Sequence, residues 1–222
     1  MVVLAGHSFV RGLKAAHVGG SKNPTRFVDT TEQEAPILAK KLFVTSKVKK
    51  VFTCAAGVTT FESLEGKVEM IKKLKPNMVV VHCLTNDLAK LPSGATPEVI
   101  ESLVLRTVTF AKQFSTDISV VFLAVVPRYE KIKSQPWEFR EYAGIANIKM
   151  WTYSDSARRG SDPSVPSNYH FGKMQGWWPS AELDSIPDYF HKDGVHPSNP
   201  GEKYSRSVRK AILHYGNTPE GV

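Results

Sequence analysis

Cysteine is scarce in this chain: Cys54 and Cys83 are the whole complement in 222 residues. No disulfide framework is indicated, and no zinc-finger or RNP-type motif is present. Apolar runs of about eighteen residues, the length a membrane-spanning helix needs, are also missing. Met1 leads almost directly into Val2-Val3-Leu4-Ala5, without the basic start and long apolar region of a signal peptide. No membrane span and no signal peptide are therefore expected, and an intracellular location is slightly favoured. The short lead-in equally fits a domain cut from a longer protein. Acidic residues are outnumbered, 21 against 29 Lys and Arg, for a formal charge of +8. Internal repeats and linker-like stretches are lacking too, so residues 1–222 read as one domain. Hydrophobic residues make up 41% of the chain, enough for a sizeable core and against a disordered protein.

The chain alternates short apolar runs with helical patterns. Val2 to Ala5 ends at Gly6, a helical segment follows from Ser8 to Ala16, and Gly19-Gly20 stop it. Residues 21–31 read as loop, Glu32 to Phe43 as a helix interrupted early by Pro36, and Val48 to Cys54 as a strand. Thr60 to Leu74 has helical period, with Phe61, Leu64, Val68 and Ile71 on one face. The run Met78 to Val81, a helix from Pro97 to Phe114, and the run Ile118 to Val126 follow. Beyond them come a more polar helix over 128–156, a loop over 158–167, a short strand within 168–174, and a closing helix from about Gly201 to His214. Consecutive β-branched residues, rather than strict alternation, mark strands covered on both faces. The pattern predicts an α/β fold: a three-layer sandwich with a flavodoxin-like, mostly parallel five-stranded sheet and helices on both faces. Cys54 and Cys83 would lie near the carboxyl ends of two strands with a third between them. That separation, roughly 10 Å, exceeds what a disulfide tolerates, and two free thiols are expected.

In open α/β sheets, ligands bind outside the carboxyl ends of the strands. Ser8 follows the first strand, Gly57 the second and Asn86 the third, while Asp193-Gly194-Val195-His196 precedes the final helix. An alcohol becomes a nucleophile when a base takes its proton, the base works best when a carboxylate orients it, and the developing oxyanion needs fixed donors. Each requirement has a candidate. Taken singly the blocks are ordinary: serine caps helices, Asn-Asp and Asp-Gly make turns, and glycine turns chains. Their order at four strand ends is what carries the argument.

With Gly6-His7-Ser8, Gly57, Thr85-Asn86-Asp87 and Asp193-x-x-His196 in this order, the chain resembles the SGNH, or GDSL, hydrolase family over nearly its whole length. The run Gly6-His7-Ser8-Phe9-Val10-Arg11 is similar to SGNH domains of animal proteins, including esterase domains of some retroelements. The resemblance implies Ser8 as nucleophile, His196 as general base and acid, and Asp193 as its orienting carboxylate. It implies an oxyanion hole of the Ser8 and Gly57 backbone N–H groups and the Asn86 side-chain amide. No cofactor and no metal are expected. Two departures stand out: His7 replaces the aspartate of Gly-Asp-Ser, and Leu84 stands where many members have glycine. The His7 ring is expected to point away from Ser8 into neighbouring loops.

The expected activity is a serine esterase acting on an acetyl or short acyl group of a carbohydrate, lipid or small molecule. Segments 18–31 and 128–190 would shape its pocket. Tyr129, Trp137, Trp177, Trp178, Tyr189 and Phe190 could wall an apolar pocket, in an enzyme or in a non-catalytic binding module of the same fold. His191, Asp193 and His196 also offer three potential metal ligands in one loop, the basis of a metal-assisted alternative. Lys40, Lys41, Lys47, Lys49, Lys50, Lys67, Lys72, Lys73 and Lys75 permit nucleic-acid contact, although such lysines ordinarily coat surface helices. Acyl length, the alcohol half and oligomeric state are not legible.

Overall fold

The computed structural model describes residues 1–23, 26–43, 47–128, 136–174, 190, 195–197 and 200–216. Five strands, β1 (Val2–Gly6), β2 (Val51–Cys54), β3 (Met78–His82), β4 (Ser119–Leu123) and β5 (Tyr169–Gly172), form one sheet in the order β2-β1-β3-β4-β5. Every pairing is parallel. The strands are buried almost throughout because helices cover both faces, which is why their sequences run apolar without alternation.

The helices are α1 (Ser8–His17), α2 (Glu34–Leu42), α3 (Phe61–Glu65), α4 (Val68–Lys73), α5 (Thr85–Leu88), α6 (Pro97–Ala111), α7 (Pro136–Arg159) and α8 (Ser205–Gly216). A π-helical turn, Pro200–Tyr204, leads into α8. Side chains that are neighbours across a parallel pair share a face, and successive residues alternate. Val81 and Phe122 are such neighbours, and the Phe122 ring meets Phe110 of α6 and stacks on Tyr169. His82 therefore faces the other way, where its ring packs on Phe9 of α1 and Tyr204. The Phe61, Phe110, Phe114, Phe122 and Tyr169 rings build one half of the core. Each such ring withdrawn from water contributes about 1.5–3 kcal/mol. On the opposite face α1 packs against α2, and α2 against α8.

Several boundaries differ from the sequence reading. The predicted helix 60–74 is two short helices, because Gly66-Lys67 ends α3 before α4 begins. Pro36 does not interrupt α2, since it falls in the first turn, where the missing N–H has no intrahelical partner. The single turn α5 escaped the periodicity argument by its shortness. Gly19 and Gly20 both take positive φ, as their role in stopping α1 requires. Cys54 and Cys83 are free, buried thiols, and burial pushes Cys54 up to about 12. Among the described residues no helix is long and apolar enough to cross a membrane.

Gly6 closes β1 at a point where a Cβ would stand 2.3 Å from the His82 carbonyl oxygen, with φ at +150°. Only glycine permits this approach. Gly6→Ala is expected to destabilise the fold by about 3 kcal/mol, measured by urea unfolding; a loss below about 0.5 kcal/mol would contradict the close approach.

Candidate active site

Because β1 lies between β2 and β3, the loops that follow these strands flank the start of α1 on either side. Ser8 is the first residue of α1 and is half-buried. Its backbone N–H is at the positive end of the helix dipole and has no hydrogen-bond partner among the described residues.

Gly57 sits in the loop after β2 at φ +69°, the left-handed region. Its N–H is also without a partner among the described residues. The loop around it is held from two directions. Asp29, from the 21–31 segment, accepts from the Ala55 N–H at 2.7 Å, the Ala56 N–H at 3.3 Å and the Thr53 hydroxyl at 3.1 Å. The buried Arg11 guanidinium donates to the Val58 and Ala55 carbonyls at 2.8 and 3.3 Å and to the Lys22 carbonyl at 3.3 Å. Acceptors that face a cation and donors that face an anion fix the loop's polarity, and such charge-assisted bonds are the stronger kind.

Asn86 lies in α5, after β3. Its amide donates to the Thr59 carbonyl at 2.8 Å, and its Oδ1 accepts from Arg128 at 2.8 Å. The Arg128 contact determines which end of the carboxamide is oxygen, so the NH2 group faces the β2 loop. One of its two N–H groups is used by Thr59. Asp87, next in sequence, turns away: its carboxylate accepts from the Phe61 N–H at 3.0 and 3.1 Å and anchors the start of α3. Burial raises its pKa.

His196 is half-buried, and its ring lies 6.3 Å from that of Phe9, the residue after Ser8. An antiparallel bridge between Phe190 and Pro197 closes the loop that carries it. Asp193 falls outside the described residues, as do His191, Tyr129, Trp177, Trp178 and Tyr189. Among the described residues no group of three His, Cys, Asp or Glu could hold a metal ion. Lys40, Lys41, Lys49, Lys50, Lys73 and Lys75 are exposed. A cavity of about 760 Å³ lined by Trp151, Arg158, His170, Lys210 and Tyr215 lies by β5, at the far edge of the sheet from β2.

The orientation expected for His7 is wrong. Its ring is 1% exposed, and Nδ1 lies 3.3 Å from Ser8 Oγ. The tight turn at Gly6 rotates His7 inward, beside Phe9 and His82, rather than out into loops. Burial is the main cause that holds the imidazole well below its usual pKa, with His82, Arg11, Arg128 and His196 adding positive charge nearby. Arg11, Asp29, His82, Arg128 and Tyr204 were missed as site residues. Arg11, three residues after Ser8 on the same side of α1, carried a visible signal; the others acquire their place through tertiary contacts alone.

The overall fold finds counterparts among solved structures. No protein-family model and no curated protein matches this sequence. An acylhydrolase from Bacteroides fragilis superposes with a TM-score of 0.61 at 19% identity, covering 96% of this chain and 86% of that one. A GDSL-like lipase from Bacteroides thetaiotaomicron gives 0.62 at 16% identity, with 96% and 88% covered. A catalytic mutant of an acetylxylan esterase from Geobacillus stearothermophilus gives 0.53 at 14% identity, with 95% and 93% covered.

Leu84 adopts φ +68° as the residue before α5, the left-handed conformation that favours glycine. It is nevertheless fully buried, so its side chain offsets the strain. Leu84→Ala keeps the strained backbone and loses the packing, whereas Leu84→Gly loses the packing and relieves the strain. Leu84→Gly is expected to be about 1 kcal/mol more stable than Leu84→Ala, with both below the parent; the reverse order in urea unfolding would contradict the assigned backbone.

His7 and His82 are buried neutral, His82 with a pKa lowered to about 3 by desolvation. The unfolded chain binds their protons below about pH 6.5 while the folded chain does not, so stability is full above that pH and falls as pH drops toward 3. At pH 5 protonation of the unfolded chain at His82 should remove about 2 kcal/mol, and His7 shifts stability in the same direction. Unfolding midpoints that stay flat between pH 7 and 5 would contradict this burial. By its sheet order and its solved neighbours, the chain has the SGNH/GDSL hydrolase fold.

Proposed function

We propose that this chain is a serine esterase that removes an acetyl or short acyl group from a carbohydrate, a lipid or a small molecule. Ser8 Oγ attacks the ester carbonyl carbon while His196 takes its proton, and Asp193 orients the imidazole and stabilises it when charged. Negative charge moves to the carbonyl oxygen, which is received by the Ser8 and Gly57 N–H groups and the remaining amide N–H of Asn86. Collapse of the tetrahedral species breaks the ester C–O bond, and His196 returns the proton to the departing alcohol. Water then repeats the sequence on the acyl-serine, releasing the acid and restoring the hydroxyl. No step calls for a cofactor.

The observation that carries this reading is the pinning of both loops that flank Ser8. Arg11 and Asp29 clamp the Gly57 loop, and Asn86 is bonded to that loop's Thr59 from the other side of β1. Donors fixed before the substrate arrives lower the reorganisation that charge development would otherwise demand. The acetylxylan esterase among the structural neighbours supports an acetyl group on a carbohydrate as the first substrate class to test.

Hydrolysis of 4-nitrophenyl acetate should fall about 10³-fold or more in Ser8→Ala and in His196→Ala, and about 10²- to 10³-fold in Asn86→Ala. A serine-directed fluorophosphonate should label the parent but not Ser8→Ala. Equal hydrolysis by parent and Ser8→Ala would leave a non-catalytic binding module as the reading. Activity abolished by a chelator and restored by a divalent metal would instead favour chemistry at His191, Asp193 and His196.

A further inference from the structure

The mechanism above leaves one group on the nucleophile unused. His7 Nδ1 is 3.3 Å from Ser8 Oγ, long for a hydrogen bond but within the range that tightens when a substrate completes an active site. The other nitrogen, Nε2, is buried without a hydrogen-bond partner among the described residues. Beside it, His82 repeats the pattern: Nδ1 is 2.9 Å from the Tyr204 hydroxyl, and Nε2 is buried and unpartnered. The two rings are 5.8 Å apart between centroids.

The charged groups that bear on His7 are Arg11 on α1, Arg128 after β4, and the imidazoles of His82 on β3 and His196. No carboxylate of the described residues is among them, so among these residues an imidazolium at this position has no partner to offset it. A neutral imidazole carries one donor and one acceptor. If Nδ1 were the acceptor it would compete with His196 for the Ser8 proton and would become the cation these surroundings exclude. It would also place a lone pair against an oxygen that gains negative charge. With the proton on Nδ1 both conflicts vanish: Ser8 keeps its own hydrogen for His196, and its lone pair receives the imidazole N–H.

We propose that His7 is a second catalytic residue, a neutral imidazole that donates Nδ1–H to Ser8 Oγ without ever transferring that proton. The inference rests on the esterase reading for its chemical consequence, though not for the tautomer. During acylation the bond stabilises Oγ as its O–H proton passes to His196 and its C–O bond forms. During deacylation it stabilises the same oxygen while the C–Oγ bond breaks and His196 returns a proton to it. The acceptor that this leaves at His7 Nε2 is matched when His82 carries its proton on Nε2 and Tyr204 donates to His82 Nδ1. A donor on one ring and an acceptor on the other satisfy both buried atoms, through one water or a small ring movement. His82 and Tyr204 then act as positioning residues. A neutral imidazole serving as an electrophile needs a lowered pKa to remain neutral, and burial supplies it.

The tautomer can be read without any activity. In protein labelled with ¹⁵N-histidine at pH 7.5, two-bond ¹⁵N–¹H correlation should show the His7 signals, assigned by their loss in His7→Asn, with Nδ1 protonated and Nε2 bare. An Nε2-protonated ring, or an imidazolium, overturns the proposal. The kinetic arm uses the burst and steady phases of 4-nitrophenyl acetate hydrolysis. His7→Phe removes the donor and should slow both acylation and deacylation about 10- to 100-fold with KM little changed. His7→Asn, whose amide nitrogen can occupy the position of Nδ1, should recover to within about fivefold of the parent and keep the same ascending pH limb. Parental rates in a folded His7→Phe variant overturn the proposal. If neither variant folds, the labelled parent decides, its His7 signals then assigned as those that shift in both Ser8→Cys and Phe9→Tyr, whose side chains meet the His7 ring. Full activity in Ser8→Ala would defeat the esterase reading while leaving the tautomer measurement intact, so the two failures are distinguishable.

Discussion

The contact between the end of β1 and the His82 carbonyl of β3 is the constraint from which the site follows. A side chain at Gly6 would collide with that carbonyl, so the two backbones meet with nothing between them. This closeness lets the chain turn into α1 at once, placing Ser8 at the helix start, level with the loops that leave β2 and β3. It also turns the His7 ring inward against His82. One small residue thus determines the height of the candidate nucleophile and the company it keeps.

What surrounds that point is a set of buried polar groups that fold around backbone rather than around one another. Arg11 is spent on the Val58, Ala55 and Lys22 carbonyls, and Asp29 on the Ala55 and Ala56 N–H groups. Removing either would leave buried donors or acceptors bare, each costing about 1–3 kcal/mol. An apolar pair could fill the same space, but it could not dictate which way the peptide groups around Gly57 point. Such polarity matters where negative charge is expected to develop. The network therefore links stability to electrostatic order: the bonds that hold the loop down are those that orient its free N–H.

Much of this was legible in the residues. Unbroken apolar runs identified the covered strands, and the five-stranded sheet follows from them. Ser8, Gly57 and Asn86 were each readable as lying just after a strand, because β strands end where apolar sequence ends. Legibility failed where the cause was tertiary. Thr60 to Leu74 has a continuous helical period, yet Gly66 divides it. His7 read as pointing away from Ser8 into neighbouring loops because nothing local tells that the His82 carbonyl of β3 lies against Gly6. Asp29 lay in an irregular segment whose only pattern is the distance it must span to reach β2. Arg128 bonds a side chain far away in sequence, on the loop after β3.

The charge balance of the site adds a further step. Among the described residues, Arg11 and Arg128 give this sheet edge a positive cast, favourable to an oxyanion and unfavourable to any further cation. A general base that must become an imidazolium here needs a carboxylate of its own. Asp29, from the 21–31 segment, and Asp87, after β3, are engaged with backbone N–H groups of the β2 loop and α3. Their lone pairs are turned toward structure. The proposed pairing of Asp193 with His196 on a single loop answers this requirement, because the carboxylate would arrive with the imidazole it serves. In that arrangement the positive surroundings divide the labour between two histidines: the one with a carboxylate moves protons, and the one without stays neutral.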